Sequence, residues 1–435
     1  MTEPSQKIFA SAWTKPNRRL AALASSALAL PGIAGTANAD TPIERAEGAF
    51  AFSYYFEDDL SEGKFLDDGD GSRERYEVYT YQLRFDLPVS ERVDLGVQIL
   101  YEEMSGASPW YVAASGTGES LQVMSGATIE DERFDLTVDA DFFIDSGKDT
   151  FTVGVSTEND YLSVHFGIGA ERNYNDKNTT VTTAGTFSYD WIDPSDPRFV
   201  TGARRKNGER WNIDLSLGVS QILTRSTIGQ ISISYKHADG YMDDPYKLIQ
   251  NLDSGFGLLS DRRPSEKDQV AILTRIRQHV DLLNASVHFD YRFYADTYDI
   301  TSHTVDLAWH QSIGEWFTIV PSVRYYSQSK ADFYETLLPP GVVPRERSSD
   351  FRLSPYGALS LRMKAEIVLE DLFRYDASNW LRAVGVNDGF DLIVALSYER
   401  YLSDGGYAIT HVAERDEAPG LVKFQVIAFT VSGRF

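Results

Sequence analysis

Residues 421–435, LVKFQVIAFTVSGRF, decide how the whole chain is read. Ile427, Phe429, Val431 and Phe435 lie an even number of residues apart, so an extended backbone turns all four to one side. The last strand is therefore amphipathic and ends on an aromatic. A terminal aromatic such as Phe435 on such a strand resembles the signal by which the outer-membrane assembly machinery selects its clients. The expectation is the closing strand of a bacterial outer-membrane barrel. Its partners would be the barrel assembly machinery, outer-membrane lipid and lipopolysaccharide.

The opposite end gives the same address. Lys15, Arg18 and Arg19 precede an apolar run over residues 20–33, and Ala37-Asn38-Ala39 offers a small-residue cleavage site before Asp40. Residues 1–39 read as a cleaved signal peptide and residues 40–435 as one outer-membrane β-barrel domain. The run is shorter than the roughly 20 apolar residues a spanning helix needs, which argues against a membrane anchor. No later segment supplies such a helix.

Composition narrows the class. The chain has no Cys, but 24 Tyr, 24 Phe and 7 Trp against a mean hydropathy of −0.30, which suits a barrel apolar outside and wet inside. Without Cys there are no disulfides, thiolate metal sites or covalent haem attachments. The net charge is −23, and the leader, with Lys7, Lys15, Arg18 and Arg19 against Glu3, makes the remainder more negative still. Such a charge repels polyanions, so no nucleic-acid partner is expected; acidic loops or a cation-attracting lumen fit it better.

Alternating segments recur along the chain. Tyr79, Tyr81, Leu83, Phe85 and Leu87 alternate with Thr80, Gln82, Arg84 and Asp86, and Phe134, Leu136, Val138, Ala140 and Phe142 with Arg133, Asp135, Thr137, Asp139 and Asp141. One face wants lipid and the other water. With 93–99, the remaining strands read at about 47–57, 150–158, 161–172, 178–191, 210–222, 229–237, 268–279, 285–295, 301–311, 317–328, 351–362, 389–401 and 421–435. The fold class is all-β, a transmembrane antiparallel β-barrel of about sixteen strands. Short turns at 145–149, 224–229, 280–284 and 312–315 fall on the periplasmic side, and long loops at 57–75, 103–132, 192–209, 237–268, 329–350 and 402–420 on the other. Residues 363–380 break the rhythm, with Ile367, Val368, Asp371, Leu372 and Tyr375 at helical spacing, and predict a short helical periplasmic insert. Two additional strands there would raise the count to eighteen. A soluble β-sandwich or propeller would also hide one face of each strand, but the leader, the terminal strand and faces rich in charge oppose it.

The inward phase carries a ladder of charge: Arg84, Asp86, Asp94, Glu102, Arg133, Asp135, Asp139, Asp141, Asp214, Arg275, Arg277, Asp290, Arg292, Asp306 and Arg324. Acids crowd the earlier strands, whereas Arg275, Arg277, Arg292 and Arg324 belong to later ones. The ladder reads either as a transverse field like a porin constriction or as ion pairs that stiffen the barrel. Tyr294 and Tyr326 share the inward phase. No HExxH or close His pair supports zinc, so neither metal nor cofactor is expected. His288 and His310 share the inward phase on adjacent strands, where luminal hydrogen bonding is the simpler role. His303 points outward near the rim without an outward Ser beside it. With no nucleophile and base on one face, no catalytic residue is assigned and no enzyme is expected. The acidic loop 67–71 lacks the later carboxylate of an EF-hand.

Ser105-Gly106-Ala107-Ser108-Pro109-Trp110, Asp243-Asp244-Pro245-Tyr246-Lys247, the run 291–309 and the run 321–334 together resemble the Gram-negative outer-membrane family catalogued as domain of unknown function 3570. The family has no established activity. The resemblance implies company with small lipoproteins, thioredoxin-like proteins and flavin-transferring enzymes, hence a periplasmic or lipoprotein partner. In physical terms the two loop motifs set rigid aromatics beside turn residues, either as a plug or ligand site or packed together to close the mouth. Two functions are expected: a porin-like channel for small polar or cationic solutes, or a barrel scaffold docking an envelope redox or lipoprotein partner.

Overall fold

The structure, a computed structural model, describes residues 41–66, 72–107, 109–115, 120–124, 129–194, 207–253, 257–369, 391–409 and 419–434. In chain order the strands are β1 (Glu47–Glu57), β2 (Glu77–Ser90), β3 (Val93–Gly106), β4 (Pro109–Ala114), β5 (Ser120–Met124), β6 (Ile129–Ile144), β7 (Gly147–Thr157), β8 (Tyr161–Tyr174), β9 (Thr179–Ile192), β10 (Gly208–Thr224), β11 (Thr227–Gly240), β12 (Leu248–Asn251), β13 (Gly257–Ser260), β14 (Glu266–Val280), β15 (Ala285–Asp296), β16 (Thr301–Ile313), β17 (Phe317–Gln328), β18 (Tyr356–Val368), β19 (Asp391–Asp404) and β20 (Phe424–Arg434). Sixteen of them close one antiparallel barrel; β4–β5 and β12–β13 are separate two-stranded sheets.

Closure follows from the pairing of β1 with β20, which runs from Glu47 opposite Arg434 to Glu57 opposite Phe424. No barrel edge is left unpaired, which is the condition for crossing hydrocarbon. Alternation sets the two faces as the sequence pattern predicts. Phe151, Phe166 and Ile168 are 54%, 57% and 65% exposed on the outside, and Leu83, Phe85, Leu215, Ile231, Leu361 and Leu396 join them. A continuous apolar belt of this kind calls for lipid as its solvent. The inward positions between them are small, polar or charged, among them Gln82, Asp94, Ser232, Thr304 and Ser360, all buried.

The helical insert read at 363–380 is corrected in its first part. Met363–Val368 continue β18 and pair with β19 from Ile393 to Tyr398. The apolar outward set simply keeps its period of two, with Arg362, Lys364 and Glu366 between. Residues 370–390 lie outside the described residues. The eighteen-strand alternative is excluded among the described residues, because β18 pairs directly with β19 and β19 with β20. The strand expected at 351–362 begins later, at Tyr356, since Phe351–Leu353 form a 3₁₀ turn just before Pro355.

Short connections join the strands at one end, except between β18 and β19, and at the other the long ones build a cap. The β4–β5 hairpin buries Val112, Val123 and Met124, and the β12–β13 hairpin buries Ile249. Leu338 donates to the Gln250 carbonyl at 2.9 Å and Leu252 to the Leu338 carbonyl at 3.0 Å, tying the loop after β17 to the one after β11. Leu66 donates to the Gln122 carbonyl at 3.1 Å, which adds the loop after β1. The cap has apolar cores of its own, one of Tyr298, Ile300, Ala331, Tyr334 and Leu353, another of Leu60, Ala107 and Met124.

Candidate functional site: a charged lumen beneath a folded cap

Two places gather the charge of this molecule: the lumen walls and the base of the cap. In the lumen, Arg84 on β2 reaches across β3 to Asp139 on β6 at 2.7 Å while also holding Asp86 at 2.6 Å. Gly96 makes the reach feasible. A Cβ there would collide with the Arg84 guanidinium and the Asp139 carboxylate, so the missing side chain is the passage. Asp141 is held by Lys148 and accepts from the Thr150 hydroxyl at 2.5 Å. Arg133 lies 3.5 Å from Glu102, 3.8 Å from Glu158 and 4.0 Å from Asp135. Asp214 lies 3.3 Å from Lys236. Asp94 accepts from the backbone N–H of Ile43 at 3.0 Å, so the segment before β1 folds back onto the inner wall near its short-turn end.

The later strands carry their own pairs. Asp290 on β15 takes Arg277, one N–H of which lies 3.1 Å from Oδ2, and Arg275 at 3.6 Å. Asp306 on β16 takes Arg324 at 2.9 Å. Arg292 differs: among the described residues no carboxylate lies within ion-pair distance of it, and its guanidinium sits over the Tyr294 ring at 5.4 Å. His288 and His310 stack with ring centres 3.9 Å apart, and Ser286 Oγ lies 3.3 Å from His288 Nε2. His303 meets the Tyr291 hydroxyl at 2.8 Å on the outer face, a polar contact between aromatic neighbours.

The arrangement of the two walls is the point that local spacing hides. Around the closed barrel, β2, β3, β6 and β7 take the second to fifth places and β14, β15, β16 and β17 the tenth to thirteenth, eight places on in a ring of sixteen. The two groups face each other across the lumen. On the first wall Asp86, Asp94, Glu102, Asp135, Asp139 and Asp141 outnumber Arg84, Arg133 and Lys148; on the second Lys267, Arg275, Arg277, Arg292 and Arg324 outnumber Asp290, Asp296 and Asp306. Pairing within each wall leaves an excess of opposite sign on the two. Part of each wall keeps contact with solvent: the Glu102 and Asp290 side chains are each 28% exposed.

At the cap, the second loop motif is a pinned turn. Asp244 Oδ1 accepts from the Tyr246 N–H at 3.0 Å, with Pro245 fixing the backbone between, and Asp243 accepts from the Arg263 N–H at 2.8 Å. Tyr246 reaches Asp160, and Lys247 donates to the Pro109 carbonyl, so this motif meets the first one. The two motifs pack against each other; Trp110 belongs to β4, and Ser108 lies outside the described residues. Beneath them Asp350, wholly buried, holds Arg263 at 3.0 Å and Arg352, which in turn holds Asp244 at 2.6 Å. Asp261 takes Arg263 at 2.8 Å and the Ser348 hydroxyl. Burial alone would raise the Asp350 carboxyl, but Arg352, Lys247 and Arg263 hold it well below the ordinary carboxylate range. Burial keeps Lys247 below its usual value against the pull of Asp350 and Asp244, and pushes Asp261 up against that of Arg263.

Asp261, Arg263, Asp350 and Arg352 escaped the sequence pattern, because residues on irregular loops show no periodicity. Gly96 and the Asp-Pro turn were the visible signals. Phe435 and the acidic loop 67–71 lie outside the described residues. Asp131, Glu158 and Asp160 bring one carboxylate oxygen each within 4.8 Å of one another at the rim, where no metal was expected. They face Arg133, Asn159 and Tyr246 as partners.

No curated protein sequence matches the chain. Among solved structures it is similar to a bacterial polysaccharide outer membrane secretin, at 10% identity and a TM-score of 0.46 over 90% of this chain and 98% of that one. It is similar to CdiB from Acinetobacter baumannii, at 7% identity and a TM-score of 0.46 over 90% of this chain and 60% of that one. It is similar too to the siderophore receptor PirA from Pseudomonas aeruginosa, at 10% identity and a TM-score of 0.39 over 83% and 56%. The chain thus spans little more than half the length of the last two. A family model described as protein of unknown function (DUF3570) matches residues 20–378. The sequence motifs, the barrel and this match agree, and the chain belongs to the DUF3570 family.

Proposed function

We propose that the protein is an outer-membrane channel for small polar solutes, favouring cations along its acidic wall and covered on the outside by a folded cap. The observation that carries this reading is the opposition of an acid-rich wall to a base-rich wall across a sixteen-strand barrel. A barrel of sixteen strands is wide enough to leave an aqueous path, and opposed charge orients a dipolar solute and slows apolar ones. The apolar belt and the terminal-strand signal support the outer membrane as the site. The leader supports export.

Reconstitution of the mature protein in planar bilayers tests the reading. Discrete steps with a cation-to-anion permeability ratio above one are expected. A protein folded by its gel mobility yet silent in bilayers, and silent again after removal of residues 242–263 from the cap, would overturn the channel. The scaffold reading, with a periplasmic or lipoprotein partner recoverable by crosslinking, would then replace it.

A further inference from the structure

We infer that Arg292, with Thr304, forms a luminal site for a small oxyanion, a carboxylate or phosphate group on a passing solute. The inference rests on the channel reading and names the chemistry that its basic wall recognises. Every carboxylate near Arg292 is already engaged. Asp290 belongs to Arg277 and Arg275, Asp306 to Arg324, and Asp296 to Lys267 at 2.9 Å and the Tyr294 hydroxyl at 2.6 Å. Arg292 has only an aromatic face beside it among the described residues. A cation–π contact engages the charge of a guanidinium and leaves its in-plane N–H donors for a further acceptor.

A second, independent observation points to the same spot. Thr304 stands directly opposite Arg292 in the β15–β16 register and directly opposite Tyr326 in the β16–β17 register. It is only 7% exposed, yet its hydroxyl oxygen makes no hydrogen bond within the described protein. A buried hydroxyl without a partner is costly, and one that directly faces a half-buried arginine lacking a counter-ion is a donor waiting for an acceptor. An oxyanion between them takes up the guanidinium fork and the Thr304 hydroxyl together. The site is also placed to report on the cap, since Tyr294 packs against the cap core of Tyr298, Ile300, Ala331, Tyr334 and Leu353.

Calorimetry on the detergent-solubilised, full-length mature protein, titrated separately with sodium acetate and with inorganic phosphate, tests binding without requiring conduction. Saturable binding of at least one is expected, weakened about tenfold or more in Arg292→Gln and about threefold in Thr304→Val. Arg292→Lys, which keeps charge but loses the fork, should fall between. Acetate but not phosphate would assign carboxylates; the reverse would assign phosphates. Equal affinity in wild type and in whichever of Arg292→Gln and Arg292→Lys retains the folded gel mobility, or no saturation with either anion, overturns the site. Binding by a protein silent in bilayers would sink the channel and leave the site standing.

Discussion

At the scale of single residues, Gly96 shows how an absence builds a contact. Its neighbours Arg84 and Asp139 come from strands on either side of β3, and any side chain at 96 stands between them. Gly96→Val should therefore break the bridge and leave two half-buried charges worse satisfied. A loss of about 1–3 kcal/mol is expected, read as a lower temperature for the folded-to-unfolded shift on a detergent gel. Gly63→Ala is the matching control, since nothing lies within 4 Å of where its Cβ would be, and it should leave that temperature unchanged.

The cap is an element held together in part by a buried charge cluster of its own. Asp350→Asn removes the carboxylate that Arg263, Arg352 and Lys247 share. Breaking such a buried pair costs about 3–5 kcal/mol. Proteolytic nicking within 241–265 and 329–355 should rise, and single-channel conductance with it, while barrel gel mobility stays. The pH dependence has a definite sign. A carboxyl held below its unfolded value of about 4 stabilises fully above that value and loses its contribution as pH falls toward the folded one. The cap should thus loosen, and conductance rise, only below about pH 4; a cap that loosened on alkaline titration instead would contradict the role given to Asp350. The barrel strands were legible in the sequence because a period of two with charge on one face has few other meanings, as in β2 and β6. Residues 363–368 were misread because Ile367 and Val368 fall at helical spacing with Asp371, Leu372 and Tyr375, while Leu361, Met363, Ala365 and Ile367 keep a strand's period of two. Of the site, the charge ladder was visible residue by residue, but its division into facing walls needed the ring order. Asp350, and Arg352, which meets Asp244 more than a hundred residues away, left no local trace.

For the whole molecule, the two walls make selectivity a collective property. Neutralising Asp94 and Asp135 together, as Asn, should shift the permeability ratio toward anions by roughly twofold in dilute salt. The shift should shrink near molar salt, where screening falls to about 3 Å. A ratio insensitive to both changes would mean that ions do not sample the acidic wall. The seam of β1 and β20 carries a consequence of another kind. It joins residues as far as 387 positions apart, so among the described residues the pairing that completes the ring is also the most distant in sequence. Ordering contacts of such separation is slow, and until the last strand arrives the sheet has two raw edges able to capture a neighbouring chain. Time spent unclosed, rather than stability once closed, is then the quantity that decides whether a copy of this protein is assembled or lost to aggregation.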